Sequence, residues 1–263
     1  MSYAIKEWLN LIFRWTHVFA AILWVGQTYF FTWLDGRLSD PDENGQVWMV
    51  HSGGFYVVEK QKRPELSRAL HWFRYEAAAT WISGVALFVL LYYLGGLLID
   101  SESPMRLFPS ILASLALIAI AWTVYDLLWS SPLEKNELAG IVLSYALLVG
   151  LCWLCTRLFS SRAAYLQVGA VLGTIMVANV WMRILPGQRK MIAAVKAGDE
   201  PDQRLAARSK ARSKHNTFIV IPVVLIMISN HFPTATYGNE YNWIILSVLI
   251  LVGWGAAKVI RTR

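Results

Sequence analysis

The chain has 263 residues, of which 56% are hydrophobic and only 16% are charged, and it contains 13 tryptophans. A soluble domain of this size would need more charged residues to cover its surface. Several apolar runs also reach the roughly 20 residues that are needed to span a bilayer. The composition therefore excludes an ordinary soluble protein and predicts an all-α, polytopic membrane helix bundle.

Seven spans are predicted in chain order, with boundaries that hydropathy fixes to within a few residues. They cover about 8–34, 72–98, 107–130, 138–160, 163–185, 216–233 and 241–259. The first span is not predicted to be a cleavable signal peptide, because it is too long, carries Glu7 and Arg14, and lacks a small-residue cleavage site. No internal repeat is evident, so residues 1–263 are predicted to form a single membrane domain.

The net charge of +7 follows the predicted topology. On one side of the membrane lie only five of the 24 Lys and Arg residues, namely Lys6, Arg14, Arg106, Arg157 and Arg162. Because positive residues mark the cytoplasmic face, the N-terminus is predicted outside and the C-terminus in the cytoplasm. The basic residues are therefore expected to meet the lipid bilayer, and no nucleic-acid partner is predicted.

Two long loops, about 35–71 and 186–215, lie on the predicted cytoplasmic side. The second contains "GDEPDQRLAARSKARSK" (198–214), which indicates a solvated, partly helical stretch that touches anionic headgroups. The loops on the outer side are short. Any soluble chemistry is therefore expected at the inner face.

Polar residues inside the spans concentrate at the cytoplasmic ends of spans two, three, five and six. Such residues are expensive in lipid and usually face the bundle interior, where they find a partner. Their convergence indicates either a functional site or a purely structural polar network. The residues concerned are His71, Arg74, Glu76, Asp126, Asn179, Arg183, His215 and Asn216.

The five histidines suggest haem ligands at two depths. His215 and His231 bracket span six about 24 Å apart, so they cannot hold the same iron. The predicted pairs are His17 with His231 and His71 with His215, each around a b-type haem, and no other metal site is predicted. However, the two span-six histidines lie about 160° apart around an ideal helix unless Pro222 kinks it. One haem b, two, or none therefore remain open.

Five stretches occur together in one order: "WTHVFAAILWVG", "WMVHSGGFYVVEK", "LHWFRYEAAATWISG", "GAVLGTIMVANVWMRILPGQRK" and "RSKHNTFIVIPVVLIMISNHFP". In that order they resemble the membrane domain of bacterial membrane-bound urate hydroxylases, the urate oxidase N-terminal family. The resemblance covers nearly the whole chain. It implies a multi-pass protein of the bacterial inner membrane that oxidises urate to 5-hydroxyisourate and passes the electrons to the respiratory chain.

The usual members of that family continue through one more helix into a c-type cytochrome domain outside the membrane. This chain ends at "KVIRTR" and contains no CxxCH motif, since "CWLC" (152–155) is followed by Thr156. The expected partner is therefore a separate cytochrome c or a larger membrane oxidoreductase complex. The alternative is a haem-binding or structural accessory subunit of such a complex, without urate chemistry.

Urate is planar, anionic and rich in acceptors, so binding it calls for a guanidinium fork, amide groups and a base. The candidate substrate-binding residues are Asn179, Arg183, Gln188 and Arg189. Arg189 and His51 are the candidate catalytic residues, with His51 as the base that deprotonates urate. The competing interpretation of His51 is a hydrogen bond that orders its glycine-rich loop.

Overall fold

The computed structural model describes residues 2–40, 45–61 and 70–262. Within these ranges, seven helices are long and apolar enough to cross a membrane, which confirms the predicted all-α class and the seven spans. The helices are α1 (Tyr3–Arg37), α2 (Tyr75–Phe88), α3 (Leu107–Leu128), α4 (Glu137–Leu158), α5 (Ser161–Ala178), α6 (Leu185–Ala197), α7 (Gln203–Ser229) and α8 (Asn242–Arg261).

Two π-helical turns extend these helices. One covers Val89–Tyr93 and continues α2, and the other covers Asn179–Ile184 and joins α5 to α6. The fifth membrane span therefore runs without interruption through Ser161–Ala197, so that eight labelled helices form seven spans.

Polar side chains at the helix starts satisfy backbone N–H groups that have no partner inside the helix. Ser2 accepts from a backbone N–H of the first turn of α1, Asn136 does so for α4, and Ser160 for α5. Asp202 caps α7 in the same way. At the other end of α6, Gly198 takes a left-handed conformation with φ of 84°, which stops the helix.

The first predicted cytoplasmic loop, 35–71, contains a two-stranded antiparallel hairpin in its described part. Strand β1 (Gln46–His51) pairs with β2 (Gly54–Glu59), and His51 lies opposite Gly54. Ser52 and Gly53 form a two-residue turn with φ of 49° and 76°, the left-handed pair that such tight hairpins require.

The second predicted loop, 186–215, differs more from expectation, because it is helical over most of its length. α6 reaches Ala197 and α7 begins at Gln203, so only residues 198–202 connect them. The basic stretch is therefore the first half of a long helix. Because α7 continues from the basic stretch into the bundle as one helix, the basic residues have fixed positions relative to the residues of the membrane span.

The core forms around α5, which contacts α2, α3, α4 and α7. Small residues allow this close packing: a Cβ added to Gly169 would lie 3.0 Å from Ile226 of α7. Cys152 and Cys155 of α4 are fully buried free thiols, and they pack in the core as small hydrophobic residues.

Candidate functional site

Polar side chains from α3, the second π-helical turn and α7 meet at the predicted inner end of the bundle. We call them the inner cluster. They come from three separate segments of the chain, yet each bonds at least one other member directly. The members are Tyr125, Asp126, Asn179, Arg183, Arg212, His215 and Asn216.

The carboxylate of Asp126 lies between two guanidinium groups. The guanidinium of Arg183 donates to both carboxylate oxygens of Asp126, and Nε of Arg183 lies 2.8 Å from Oδ1. Arg212 donates to the same Oδ1 at 3.0 Å and to Ser130 Oγ at 3.1 Å. The Arg212 side chain is only 6% exposed, whereas that of Arg183 is 43% exposed. The cluster thus holds two cations against one anion, with a surplus of positive charge.

A chain of amide and hydroxyl groups adjoins this ion pair and fixes the proton positions. Asn179 must accept from Arg212 through Oδ1, because a guanidinium has only donors. Its Nδ2 therefore donates to Tyr125 Oη and to Asn216 Oδ1, both at 2.9 Å. We assign the Tyr125 hydroxyl as the donor to His215 Nδ1, 2.8 Å away, because its oxygen already accepts from Asn179. Neutral His215 accordingly carries its proton on Nε2.

The π-helical turn supplies both Asn179 and Arg183 to the cluster. Such turns are rare, and they often occur at functional sites because the extra residue re-aims neighbouring side chains. Here the turn lies where the fifth span passes from its buried half to the predicted inner surface. The local geometry and the polar network therefore mark the same place.

A small cleft of about 90 Å³ opens beside the cluster, and His215 is among the residues that line it. The ring of His215 packs against the indole of Trp129 with centroids 4.3 Å apart. Three cationic side chains and two carboxylates line the cleft. Its lining residues are Trp129, Glu134, Glu137, Arg208, Ala211, Arg212, Lys214 and His215.

The structure brings together Asn179, Arg183 and His215 among the predicted site residues. Sequence reasoning missed Arg212, because its segment was interpreted as a solvated, partly helical stretch at the headgroups. A signal was present, since Arg212 precedes Asn216 by four residues and shares its helix face.

Three other candidates lie outside the inner cluster. His51 is exposed at the hairpin turn, where its Nδ1 is 2.8 Å from Ser52 Oγ. Gln188 and Arg189 are exposed on α6. No hydrogen bond or ion pair joins His51 to Arg189 in the part of the chain that the structure describes. The local bond of His51 agrees with the loop-ordering interpretation.

The polar residues at the start of α2 also stay apart from the cluster. Arg74 packs over the rings of Trp72 and Tyr75, with its Cζ 5.6 and 4.8 Å from their centroids. The Nε of Arg74 and the Oε2 of Glu76 are buried without a hydrogen-bond partner among the described residues. Of the expected convergence from four helices, the contribution of α2 is therefore missing.

The residues do not fit a haem held between His17 and His231. His17 bonds the Thr80 carbonyl of α2, at the depth where Trp81 bonds Thr174 of α5. His231 follows Asn230, which bonds Arg162 at the opposite end of α5. The twelve residues from Arg162 to Thr174 rise roughly 18 Å. That separation is too large for two ligands on opposite faces of one iron.

The second haem pair, His71 with His215, is not formed either. The His71 ring contacts Phe73, and Phe73 contacts Phe31 of α1. His215 instead contacts Tyr125 and Trp129 on the side of α3. The two imidazoles therefore belong to different parts of the bundle. Consequently, neither two-histidine site fits this arrangement.

Comparison with known proteins gives one match. A family model described as urate oxidase N-terminal matches residues 3–263. No curated protein matches, and no solved structure does.

Proposed function

Because the chain belongs to the urate oxidase N-terminal family, we propose that the inner cluster and its cleft bind urate or a closely related anionic purine. The protein then oxidises this purine by two electrons at the predicted inner face of the membrane. The observation that carries the proposal is a cationic cleft beside a largely buried, hydrogen-bonded polar network.

Charge favours an anion in this cleft. Lys214 is neutralised by Glu137, with which it forms an ion pair. Arg212 shares Asp126 with Arg183, so one of these two guanidinium charges stays uncompensated. Arg208 adds a further cation to the cleft and Glu134 adds a carboxylate, so the group as a whole keeps a surplus of one positive charge. A planar anion can bind such guanidinium groups through two parallel hydrogen bonds.

The shape of the lining also suits a flat heterocycle. Trp129 and His215 form a pair of packed rings at the wall of the cleft, and aromatic faces stack on planar ligands. His215 carries its proton on Nε2, because Nδ1 accepts from Tyr125. It is therefore a hydrogen-bond donor to a purine carbonyl oxygen rather than the base for the reaction.

The chemistry requires a water molecule and an electron acceptor. Urate plus water gives 5-hydroxyisourate, two protons and two electrons, and the new C–O bond forms from water. The inner cluster binds and orients the anion. The two electrons leave to a cytochrome or an oxidoreductase partner.

Binding of urate to the purified protein is the direct test, measured by isothermal titration in detergent. Arg208 is exposed at the cleft, so Arg208→Ala should fold normally and weaken binding about three- to tenfold through the loss of one charge-assisted contact. Arg204→Ala is the matched control. It removes an exposed arginine one turn away on α7 that does not line the cleft.

Activity is measured in native membranes as urate-dependent reduction of the respiratory chain. His215→Ala should lower the rate, while Arg189→Ala should leave it within about twofold of wild type because Arg189 lies outside the cluster. Absence of urate binding in both detergent and native membranes would contradict the proposal. The protein would then be an accessory subunit without urate chemistry.

A further inference from the structure

The hydroxyl of Tyr125 bonds a base, which sets it apart from other tyrosines inside the bundle. It lies 2.8 Å from Nδ1 of His215, and an imidazole nitrogen with a lone pair takes up a proton readily. Four other interior tyrosines bond a backbone carbonyl or a serine hydroxyl instead, and neither of these groups is a base near neutral pH. They are Tyr29, Tyr93, Tyr145 and Tyr165. The hydroxyl proton of Tyr125 therefore has an acceptor that those four lack.

His215 connects this hydroxyl to the cleft. Its ring lines the cleft together with Glu134 and Glu137. A proton that moves from Tyr125 to Nδ1 makes the ring an imidazolium, which can release its other proton from Nε2. Tyr125 and His215 thus form a pair in which a proton crosses one hydrogen bond without displacement of either side chain.

The surroundings of Tyr125 favour loss of an electron only together with that proton. The guanidinium carbon of Arg212 lies 5.0 Å from the centre of the Tyr125 ring. A tyrosine that lost an electron and kept its proton would be a radical cation, which the guanidinium repels strongly at low dielectric. A neutral tyrosyl radical keeps its oxygen as an acceptor, so it retains the hydrogen bond from Asn179. Movement of the proton to His215 therefore stabilises the oxidised ring.

Aromatic rings lie on both sides of the pair. The indole of Trp129, which lines the cleft, has its ring centre 4.3 Å from that of His215. On the other side, the ring centres of Trp122 and Tyr125 are 5.9 Å apart. Trp122, Tyr125 and Trp129 are spaced by three and four residues, so they share one face of α3. This row of rings covers roughly 10 Å of helix rise from the cleft towards the middle of the bilayer.

We propose that Tyr125 and His215 are a redox-active pair that carries electrons from the cleft into the bundle one at a time, with Trp122 as the next ring on the way out. The proposal rests on the proposed function, because the anionic purine in the cleft is the source of the electrons. A two-electron oxidation needs such a relay where the final acceptor takes single electrons. That acceptor is an oxidised cytochrome of the partner.

Each cycle moves one electron and returns one proton. Tyr125 passes an electron to the partner cytochrome, whose iron changes from ferric to ferrous. At the same time the O–H bond of Tyr125 breaks, and its proton forms an N–H bond at Nδ1 of His215. The purine anion then gives one electron to the tyrosyl radical, and the proton returns from His215 to the tyrosine oxygen. Two cycles remove two electrons from the purine, and two protons pass to solvent when water adds.

A tethered photo-oxidant tests the pair without urate and without a partner. The two native cysteines are buried, so a ruthenium polypyridyl complex can be attached specifically at Glu134→Cys, an exposed position of the cleft. A laser flash in the presence of an electron quencher makes this complex a one-electron oxidant beside the pair. Freeze-quenched samples should then show the electron paramagnetic resonance signal of a neutral tyrosyl radical.

Single variants in this labelled background assign the radical. Tyr125→Phe should lose the signal. Tyr165→Phe is the matched control and should keep it, since Tyr165 is a buried tyrosine whose hydroxyl bonds the carbonyl of Asn242. His215→Asn offers an amide but no base, so radical formation should slow by about a hundredfold. The unfolding transition of each variant in detergent shows that it is folded.

Urate connects the pair to the proposed function. Addition of urate to flash-oxidised protein should shorten the lifetime of the tyrosyl radical. Arg208→Ala should require about three- to tenfold more urate for the same effect, because it weakens binding in the cleft. Arg204→Ala, the control outside the cleft, should match the wild type.

Three results would overturn the proposal. They are the absence of a tyrosyl radical in the labelled wild-type chain, an equal signal in Tyr125→Phe, and an equal rate of radical formation in His215→Asn. None of them involves urate, so each leaves the proposed function standing. A radical at Tyr125 that urate neither quenches nor binds beside gives the opposite result: the pair is redox-active, and the proposed function fails.

Discussion

Replacement of Arg212 by methionine should destabilise the protein by about 3 kcal/mol, whereas the same replacement at Arg183 should cost only about 1 kcal/mol. Methionine keeps most of the apolar length of the arginine stem but removes the charge and the donors. Both arginines bind the same carboxylate, so the comparison isolates the effect of their surroundings.

The magnitudes follow from burial. The Arg212 side chain is 6% exposed and also bonds Ser130 and the backbone carbonyl of Asp126, so its loss removes several hydrogen bonds along with a buried charge. Breaking a buried pair costs about 3–5 kcal/mol. Here the loss is expected near the lower value, because Arg183 still pairs with Asp126. Arg183 is 43% exposed, and exposed pairs contribute about 0–1 kcal/mol.

The assay is equilibrium unfolding in mixed micelles, in which the fraction of denaturing detergent is raised and tryptophan fluorescence reports the transition. The double variant Arg183→Met/Arg212→Met should lose more than the sum of the single changes, because Asp126 is then left without a cation. Equal losses for the two single variants, or strict additivity in the double variant, would show that burial of the Asp126 pair does not govern stability.

Three further changes test the packing, the hydrogen-bond network and the topology. Gly253→Ala should destabilise the protein by about 1–3 kcal/mol in the same unfolding assay, because the added Cβ would lie 2.8 Å from Pro222 of α7. The control Gly255→Ala should be neutral, because no atom lies within 4 Å of its added Cβ. Tyr125→Phe should cost about 1–2 kcal/mol by that measurement, because His215 and Asn179 each lose a partner. A membrane-impermeant maleimide should label Thr234→Cys in intact cells and Asp199→Cys only after permeabilisation, because the two positions are predicted on opposite sides of the membrane. The two native cysteines are buried and should not react. The reverse labelling pattern would invert the predicted topology.

The amino-acid sequence by itself determined the seven spans and most of the helix ends. A span depends only on the length of an apolar run, because every backbone group in lipid must be bonded within its own helix. Ser160, which caps α5, is a residue type that favours a helix start, and it stands immediately before that helix in the sequence. The location of Asn179, Arg183 and His215 at one end of the bundle also followed from their positions at the span ends.

Only the tertiary structure decided which polar residues meet. Arg212 joined the cluster because α7 continues without a break from the basic stretch into the membrane, which no hydropathy value reveals. His17 and His231 failed to meet, since partner choice depends on helix order, rotation and depth in the bundle. These are set by the packing of α5 against its neighbours, through contacts such as that of Gly169 with Ile226. A contact between distant residues is a property of that packing, and the spacing of residues along the chain does not contain it.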